Sequence, residues 1–307
     1  MLRFGIVFFC FVFSTAMAMQ KREPLQTPSS RTLYYTDAQR ERPVVVELWY
    51  LTDLGEKARD ASFSLQEGKR PLILMSHGHR GWRGESSWLA ERLAKKGYIV
   101  AALDHHGDMR SHFDALISLR FWERCTDFKF ILDTLEKDAS LRGVIDFERV
   151  GFVGYSLGGM TGLSLAGAVA QNAKSAVSKI AGYPVEKGLS ETFDFSHAEK
   201  NYKEPRIKAM LLLCPAVFIY SPKALRQIKI PVGLVVSVDD EVLPFEEHAA
   251  PLIEYITPFK LKVCRENVSH YAFKDPSILN SLHQDVSVFA EAFFRETLAE
   301  KEVRVLR

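Results

Sequence analysis

Cysteine is scarce in this chain, with four residues in 307. Cys10 lies in an N-terminal apolar run without the small residues that a bacterial lipoprotein signal shows before its cysteine, so no lipidation is expected there. Cys125, Cys214 and Cys264 are an odd set with no metal-like spacing, and each sits in an apolar stretch. They are expected to be buried free thiols, which excludes a disulfide framework or a zinc cluster. Charge of one sign is also missing: 40 Lys and Arg against 38 Asp and Glu leave +2, so neither nucleic acid nor a charged membrane surface is an expected partner. Beyond the N-terminus no run approaches the ~20 apolar residues of a membrane span. No H-E-x-x-H, internal repeat, low-complexity tract or interdomain linker occurs.

Residues 1–18 have the marks of a secretory signal peptide. Arg3 supplies the positive start, residues 4–13 an apolar run broken only by Gly5, and Ala16-Met17-Ala18 the small-x-small cleavage pattern. The run is short for an uncleaved anchor, so the chain is expected to be exported, periplasmic or secreted, with residues 19–307 forming one large α/β domain.

Within that domain, strands alternate with helical patterns. Residues 31–51 predict an antiparallel opening hairpin, with its strand signal at 44–50, and residues 56–70 read as a polar loop. Residues 71–75 and 98–103 are continuous apolar runs of the kind required by strands buried on both faces. Between them, residues 86–97 predict a helix with serine at its start, lysines in its last turn and Gly97 as the stop. Phe121, Cys125, Phe128, Leu132 and Leu135 recur at helical spacing and read as core. A Gly- and Ala-rich helical pattern covers 160–170, and residues 171–204 break the alternation as a possible cap insertion. Strands resume at 209–213, 231–238 and 259–264, and Leu282, Val286, Phe289 and Phe293 mark a closing helix. This order predicts a mostly parallel sheet covered by helices on both faces, with function in the loops at the carboxyl ends of strands.

One such loop carries Gly154-Tyr155-Ser156-Leu157-Gly158, between the apolar run 150–153 and a helical pattern. G-x-S-x-G alone is a weak pattern. In a strand-turn-helix setting it gains force, because a nucleophile elbow turns so sharply that the residues two before and two after the serine must be very small. A serine nucleophile needs a base in hydrogen-bond reach and a carboxylate to orient that base. In the elbow fold the chain order is serine, acid, histidine. Of His197, His248, His270 and His283, only His270 follows a predicted strand, so it is the expected base. The strand at 231–238 runs into Asp239 and Asp240; Asp240, four residues before Pro244, is favoured as the acid, with Asp239 as competitor. The oxyanion of acyl transfer needs two preorganised donors. The main-chain N–H groups of Leu157, at the helix start, and His79, in the loop after the 71–75 strand, are the candidates. A metal site built from His77, His79, His105, His106, Asp104 and Asp108 is the rival reading, but H-x-H is followed by Arg80-Gly81-Trp82 and lacks the Asp-His of a metallohydrolase signature. No metal or cofactor is expected.

The segments Leu72-Ile73-Leu74-Met75-Ser76-His77-Gly78, Leu103-Asp104-His105-His106-Gly107, Asp146-Phe147-Glu148-Arg149-Val150-Gly151, Gly154-Tyr155-Ser156-Leu157-Gly158-Gly159 and Ser269-His270, in this order, resemble the α/β-hydrolase superfamily. Within it, the chain is most similar to the bacterial dienelactone-hydrolase-like branch related to platelet-activating-factor acetylhydrolases. Further matches are Val46-Glu47-Leu48-Trp49-Tyr50, Pro205-Arg206-Ile207-Lys208-Ala209 and Ile230-Pro231-Val232. The resemblance implies hydrolysis of small-molecule or lipid carboxylic esters through an acyl-enzyme on Ser156, without a cofactor. Dienelactone hydrolases proper carry cysteine where this chain has Ser156, so a lactone substrate is not carried over. Ser237-Val238-Asp239 replaces the glycine usual at that strand end, which keeps Asp239 in contention. A thioesterase, amidase or peptidase on the same triad, a metal-dependent hydrolase and a non-catalytic binding protein remain as alternatives. Trp82, Trp88, Phe113 and Phe121 are candidates for an acyl pocket, or else ordinary core. Nothing in the sequence indicates an oligomeric state.

Overall fold

The structure, a computed structural model, describes residues 27–52, 68–171, 173–174, 193–257, 259–264, 268–274 and 281–299. The expected signal peptide at 1–18, most of the polar loop at 56–70 and most of the insertion at 171–204 lie outside the described residues.

Among the described residues the frame is an eight-stranded sheet. In chain order its strands are β1 (Thr27–Asp37), β2 (Arg42–Thr52), β3 (Arg70–Ser76), β4 (Ile99–Leu103), β7 (Ile145–Tyr155), β8 (Ile207–Leu213), β9 (Val232–Ser237) and β10 (Phe259–Cys264). Across the sheet they run β1-β2-β4-β3-β7-β8-β9-β10. β1 and β2 form the expected antiparallel hairpin, β2 joins β4 antiparallel, and every other neighbouring pair is parallel. Two very short strands, β5 (Asp108–Met109) and β6 (His112–Phe113), make a separate antiparallel ribbon that the sequence pattern did not reveal.

The apolar runs explain the layering. Along β3, Leu72 and Leu74 face one core cluster and Ile73 and Met75 the other, so alternation by two buries every residue of a continuous run. On the first face lie helix α3 (Glu123–Lys137), through Cys125, Phe128, Leu132 and Leu135, and helix α5 (Leu157–Leu165), through Leu163 and Leu165. On the second face lie helices α1 (Ser87–Lys95) and α9 (Ser281–Thr297), through Leu89, Leu93, Val286 and Phe293. Each fully buried Leu or Phe contributes about 1.5–3 kcal/mol relative to its exposed state. Short helices α2 (Ala115–Ser118), α4 (Ala139–Arg142), α6 (Pro222–Leu225), α7 (Phe245–His248) and α8 (Ala250–Tyr255) fill the connections. Cys125 and Cys214 are free and buried as expected, while the Cys264 side chain lies outside the described residues.

Two boundaries differ from the sequence reading. Helix α5 starts at Leu157, immediately after the elbow serine as expected, but ends at Leu165 rather than running through the pattern at 160–170. Gly167, at φ 108°, takes the left-handed conformation that ends it. β7 begins at Ile145, earlier than the apolar run 150–153; a register shift at Val150/Gly151 against β8, and one at Pro71/Leu72 in its partner β3, absorb the polar stretch around Glu148.

Candidate active site

The carboxyl ends of β3, β7, β8 and β9 meet around Ser156. This residue connects β7 to α5 with φ 53° and ψ −117°, a conformation that costs a non-glycine residue of order 1–3 kcal/mol and persists only where the surroundings enforce it. The enforcement is visible on both sides. The Ser156 N–H donates to Leu213 O at 2.9 Å, and Ser156 O accepts from Ala216 N at 3.0 Å, so the end of β8 clamps the elbow. The glycines are demanded by close approach. A β-carbon on Gly154 would lie 2.3 Å from Gly158 O, one on Gly158 2.1 Å from Ser76 O, and one on Gly159 2.4 Å from the Pro215 side chain.

His270 Nε2 lies 3.0 Å from Ser156 Oγ, and His270 Nδ1 lies 2.8 Å from Asp240 Oδ2. The other Asp240 oxygen accepts from the main-chain N–H groups of Val242 at 3.0 Å and Leu243 at 2.7 Å. Burial works against the Asp240 carboxylate, but the hydrogen bond and charge of His270, with these two N–H groups, outweigh it and hold its pKa below the ordinary value. An ionised acceptor at Nδ1 puts the ring proton there and leaves the Nε2 lone pair for the serine hydroxyl. Asp239, the competitor, is exposed, whereas Asp240 is 7% exposed and His270 2%. Asp240 is thus the neighbour of the histidine in space.

The turn carrying His270, a single 3-10 turn over His270–Phe273, is held from several elements. The His270 N–H donates to Glu241 Oε2 at 3.0 Å, and its carbonyl accepts from the Tyr155 hydroxyl at 2.9 Å. His283 Nε2 lies 2.9 Å from Ala272 O, Trp88 Nε1 donates to Phe273 O at 3.1 Å, and the two rings stack at 4.1 Å. Trp88 therefore braces this turn. Of the other expected pocket aromatics, Trp82 is exposed, Phe113 packs between His79 and the Arg80 guanidinium, and Phe121 joins an apolar cluster with Leu157, Met160 and Trp122. Phe193 and Phe195, from the described end of the insertion, meet Trp122 in that cluster next to the elbow.

The loop after β3 runs beside the serine: a β-carbon on Gly78 would lie 3.2 Å from Ser156 Cβ and 3.1 Å from the Tyr155 ring. Leu157 opens α5, so its N–H is one of those left without an intrahelical partner.

The six residues of the rival metal reading are engaged with protein groups, His77 with His105 and His79 with Asp108 among them. The His105 N–H donates to His77 Nε2 at 3.1 Å; the His77 ring proton is therefore on Nδ1, which donates to Gly78 O at 2.7 Å. His105 sits between Ser76 Oγ at 2.8 Å and Asp127 at 3.5 Å, His79 lies 2.8 Å from Asp108, and Asp104 pairs with Arg83. The His106 ring stacks on His112. Among the described residues, one set of ligand-type atoms lies within 4.8 Å of one another, those of Cys214, Asp240 and His270. That set is the acid–histidine pair with a neighbouring thiol.

Burial, with the charges of His105 and Arg124 adding to it, holds His77 well below the usual imidazole range; burial followed by the Arg124 charge pushes His105 down to about 4. The unfolded chain takes up two protons near pH 6.5 that the folded chain refuses. Stability from these rings is thus complete above about pH 6.5 and is lost as pH falls toward 4, with a slope of up to about 2.7 kcal/mol per pH unit. Urea midpoints measured from pH 7 to 4.5 should show this decline, and a flat profile would mean that the rings charge in the folded protein.

Arg124 and Glu85, buried around the β3 loop, were not singled out by sequence, and Asp108, buried beside them, was named only in the metal reading. Arg124 was hidden by its place in the helix of Cys125 and Phe128, where a charged residue reads as solvent-facing.

The family model described as platelet-activating factor acetylhydrolase, isoform II, matches residues 34–116, a span from β1 through the loop after β3 to α2. No curated protein matches the chain. Sheet order and elbow give the chain an α/β-hydrolase fold, and over residues 34–116 it is similar to the platelet-activating factor acetylhydrolase isoform II family.

Proposed function

We propose that the protein is a serine carboxylester hydrolase working through an acyl-enzyme on Ser156. The observation that carries this reading is the row of hydrogen-bonded groups from Ser156 Oγ through the His270 ring to Asp240. Ser156 Oγ attacks the ester carbonyl carbon while His270 Nε2 takes the hydroxyl proton. The carbonyl oxygen becomes an oxyanion, met by the main-chain N–H groups of His79 and Leu157. As the tetrahedral intermediate collapses, His270 returns the proton to the departing alkoxide, and the alcohol leaves. Water then repeats the sequence on the acyl-enzyme, with His270 again as base, and the carboxylic acid is released with Ser156 restored. Asp240 stays ionised throughout, orienting the ring and stabilising the imidazolium.

Residues 1–18 support export of the mature chain, and a small-molecule or lipid ester is the substrate class. A fluorophosphonate probe should label Ser156, and a series of p-nitrophenyl esters run beside thioester and anilide analogues should show turnover of the esters. A chain that stays unlabelled, or that turns over only amides or thioesters, would overturn the reading. A fall in rate beyond short acyl groups would mark acetylhydrolase-like rather than lipase-like use.

A further inference from the structure

Arg124 is 2% exposed and is among the largest fully buried side chains of the protein, yet it carries a charge. It reaches from α3 to the underside of the β3 loop. Its Nη1 donates to His77 O at 2.7 Å, and its Nη2 donates to Gly78 O at 3.2 Å and to Asp108 Oδ2 at 2.5 Å. Gly78 O also accepts from His77 Nδ1 at 2.7 Å and from the Gly81 N–H at 3.3 Å. A single carbonyl thus receives three donors, one of them cationic.

That carbonyl belongs to the same peptide group as the His79 N–H. A trans peptide is planar, with its C=O and N–H pointing in opposite directions. Pinning Gly78 O to the Arg124 and His77 side therefore aims the His79 N–H the other way. The flanking groups are held too: the Gly78 N–H donates to Glu85 Oε2 at 3.2 Å, and the Arg80 N–H donates to Asp108 Oδ1 at 3.1 Å. Arg80, at φ 54°, bends the chain at this point. Cationic donation also draws electron density toward Gly78 O and makes the N–H of that peptide a stronger donor.

We infer that Arg124 is a positioning residue that aims and polarises the His79 main-chain N–H toward the developing oxyanion, acting through the Gly78–His79 peptide. The inference rests on the proposed ester hydrolysis, in which that N–H is one of the two oxyanion donors. It explains why a buried arginine sits here. Only a planar fork reaches two successive carbonyls and a carboxylate at once, and lysine, a point charge, cannot reproduce it. Asp108 balances the buried charge; the same arginine's charge helps hold that carboxylate well below the usual range, against the opposing effect of burial.

The test is the double variant Arg124→Met/Asp108→Asn, which removes both charges together and keeps an oxygen for the Arg80 N–H. Alongside it stands Arg124→Lys, which keeps the charge without the fork. With p-nitrophenyl acetate, the double variant is expected to lose about 100-fold in kcat with KM changed less than about threefold. Affinity for a trifluoromethyl ketone, whose serine adduct carries the oxyanion, should fall in parallel. Arg124→Lys should lose about tenfold in kcat, between the two. Wild-type kcat and ketone affinity in folded variants would overturn the inference, as would a loss confined to KM. If the double variant fails to fold, Arg124→Lys decides by the same two measurements. A wild type that the fluorophosphonate does not label would instead sink the underlying ester-hydrolase reading, so the two failures are distinguishable.

Discussion

Replacing Ser156 with alanine is expected to lower kcat for p-nitrophenyl acetate by about 10⁴–10⁶-fold while leaving the fold intact. The substitution removes one oxygen atom and keeps the β-carbon, so the unusual backbone at φ 53° is no more strained than before. The clamps from Leu213 O and Ala216 N, which involve only main-chain atoms, also persist. Stability should change by no more than about 0.5 kcal/mol, because the hydroxyl sits at the functional end of the sheet and not in the core. Residual turnover would come from the oxyanion donors and substrate positioning alone. Ser156→Ala enzyme with wild-type activity that is abolished by a chelator would instead point to metal-dependent hydrolysis. Circular dichroism on the same sample separates loss of chemistry from loss of structure.

Asp240→Asn is expected to cost about 10⁴ in kcat, and Asp239→Asn less than about threefold. The reason lies in the direction of one proton. Asp240 Oδ1 is committed to the N–H groups of Val242 and Leu243, so an asparagine retains its oxygen there and turns its amide NH₂ toward His270 Nδ1. That nitrogen must then accept, the ring proton moves to Nε2, and the atom facing Ser156 Oγ becomes a donor that cannot remove the serine proton. Asp239 is exposed, and its replacement leaves this row untouched. Steady-state kinetics on the two variants decide between adjacent carboxylates, and the reverse ranking would assign the acid role to Asp239.

Much of the architecture was legible because its signals are local. The buried strands β3, β4, β8 and β9 announced themselves as continuous apolar runs, since a strand covered on both faces has no polar side to show. Helices α3 and α9 followed from apolar residues spaced at three and four. The helical pattern read at 160–170 overran the end of α5, which stops at Leu165, while its start at Leu157 was expected from the elbow. The close approach of Ser76, Gly154 and Pro215 explains why Gly158 and Gly159 follow Leu157 there. The β5–β6 ribbon escaped notice because strands of two residues carry no periodicity. Trp88 illustrates another limit: an aromatic on a helix reads as core or pocket lining, whereas its indole N–H binds Phe273 O, 185 residues away.

Chain order and local chemistry point to Ser156, His270 and Asp240, with Asp239 as competitor, as candidates, because an elbow needs small residues at fixed offsets and the fold supplies its partners in a set order. Choosing Asp240 over Asp239 was a matter of direction. The side chains of adjacent residues leave the backbone on different sides, and only the folded loop reveals which one meets the ring. The wiring beneath the β3 loop was beyond the reach of sequence altogether. Arg124 stands 46 residues from Gly78, and their meeting depends on how α3 packs over the sheet. Buried charge appears where tertiary packing brings compensating partners together, and a linear pattern carries no record of that distance.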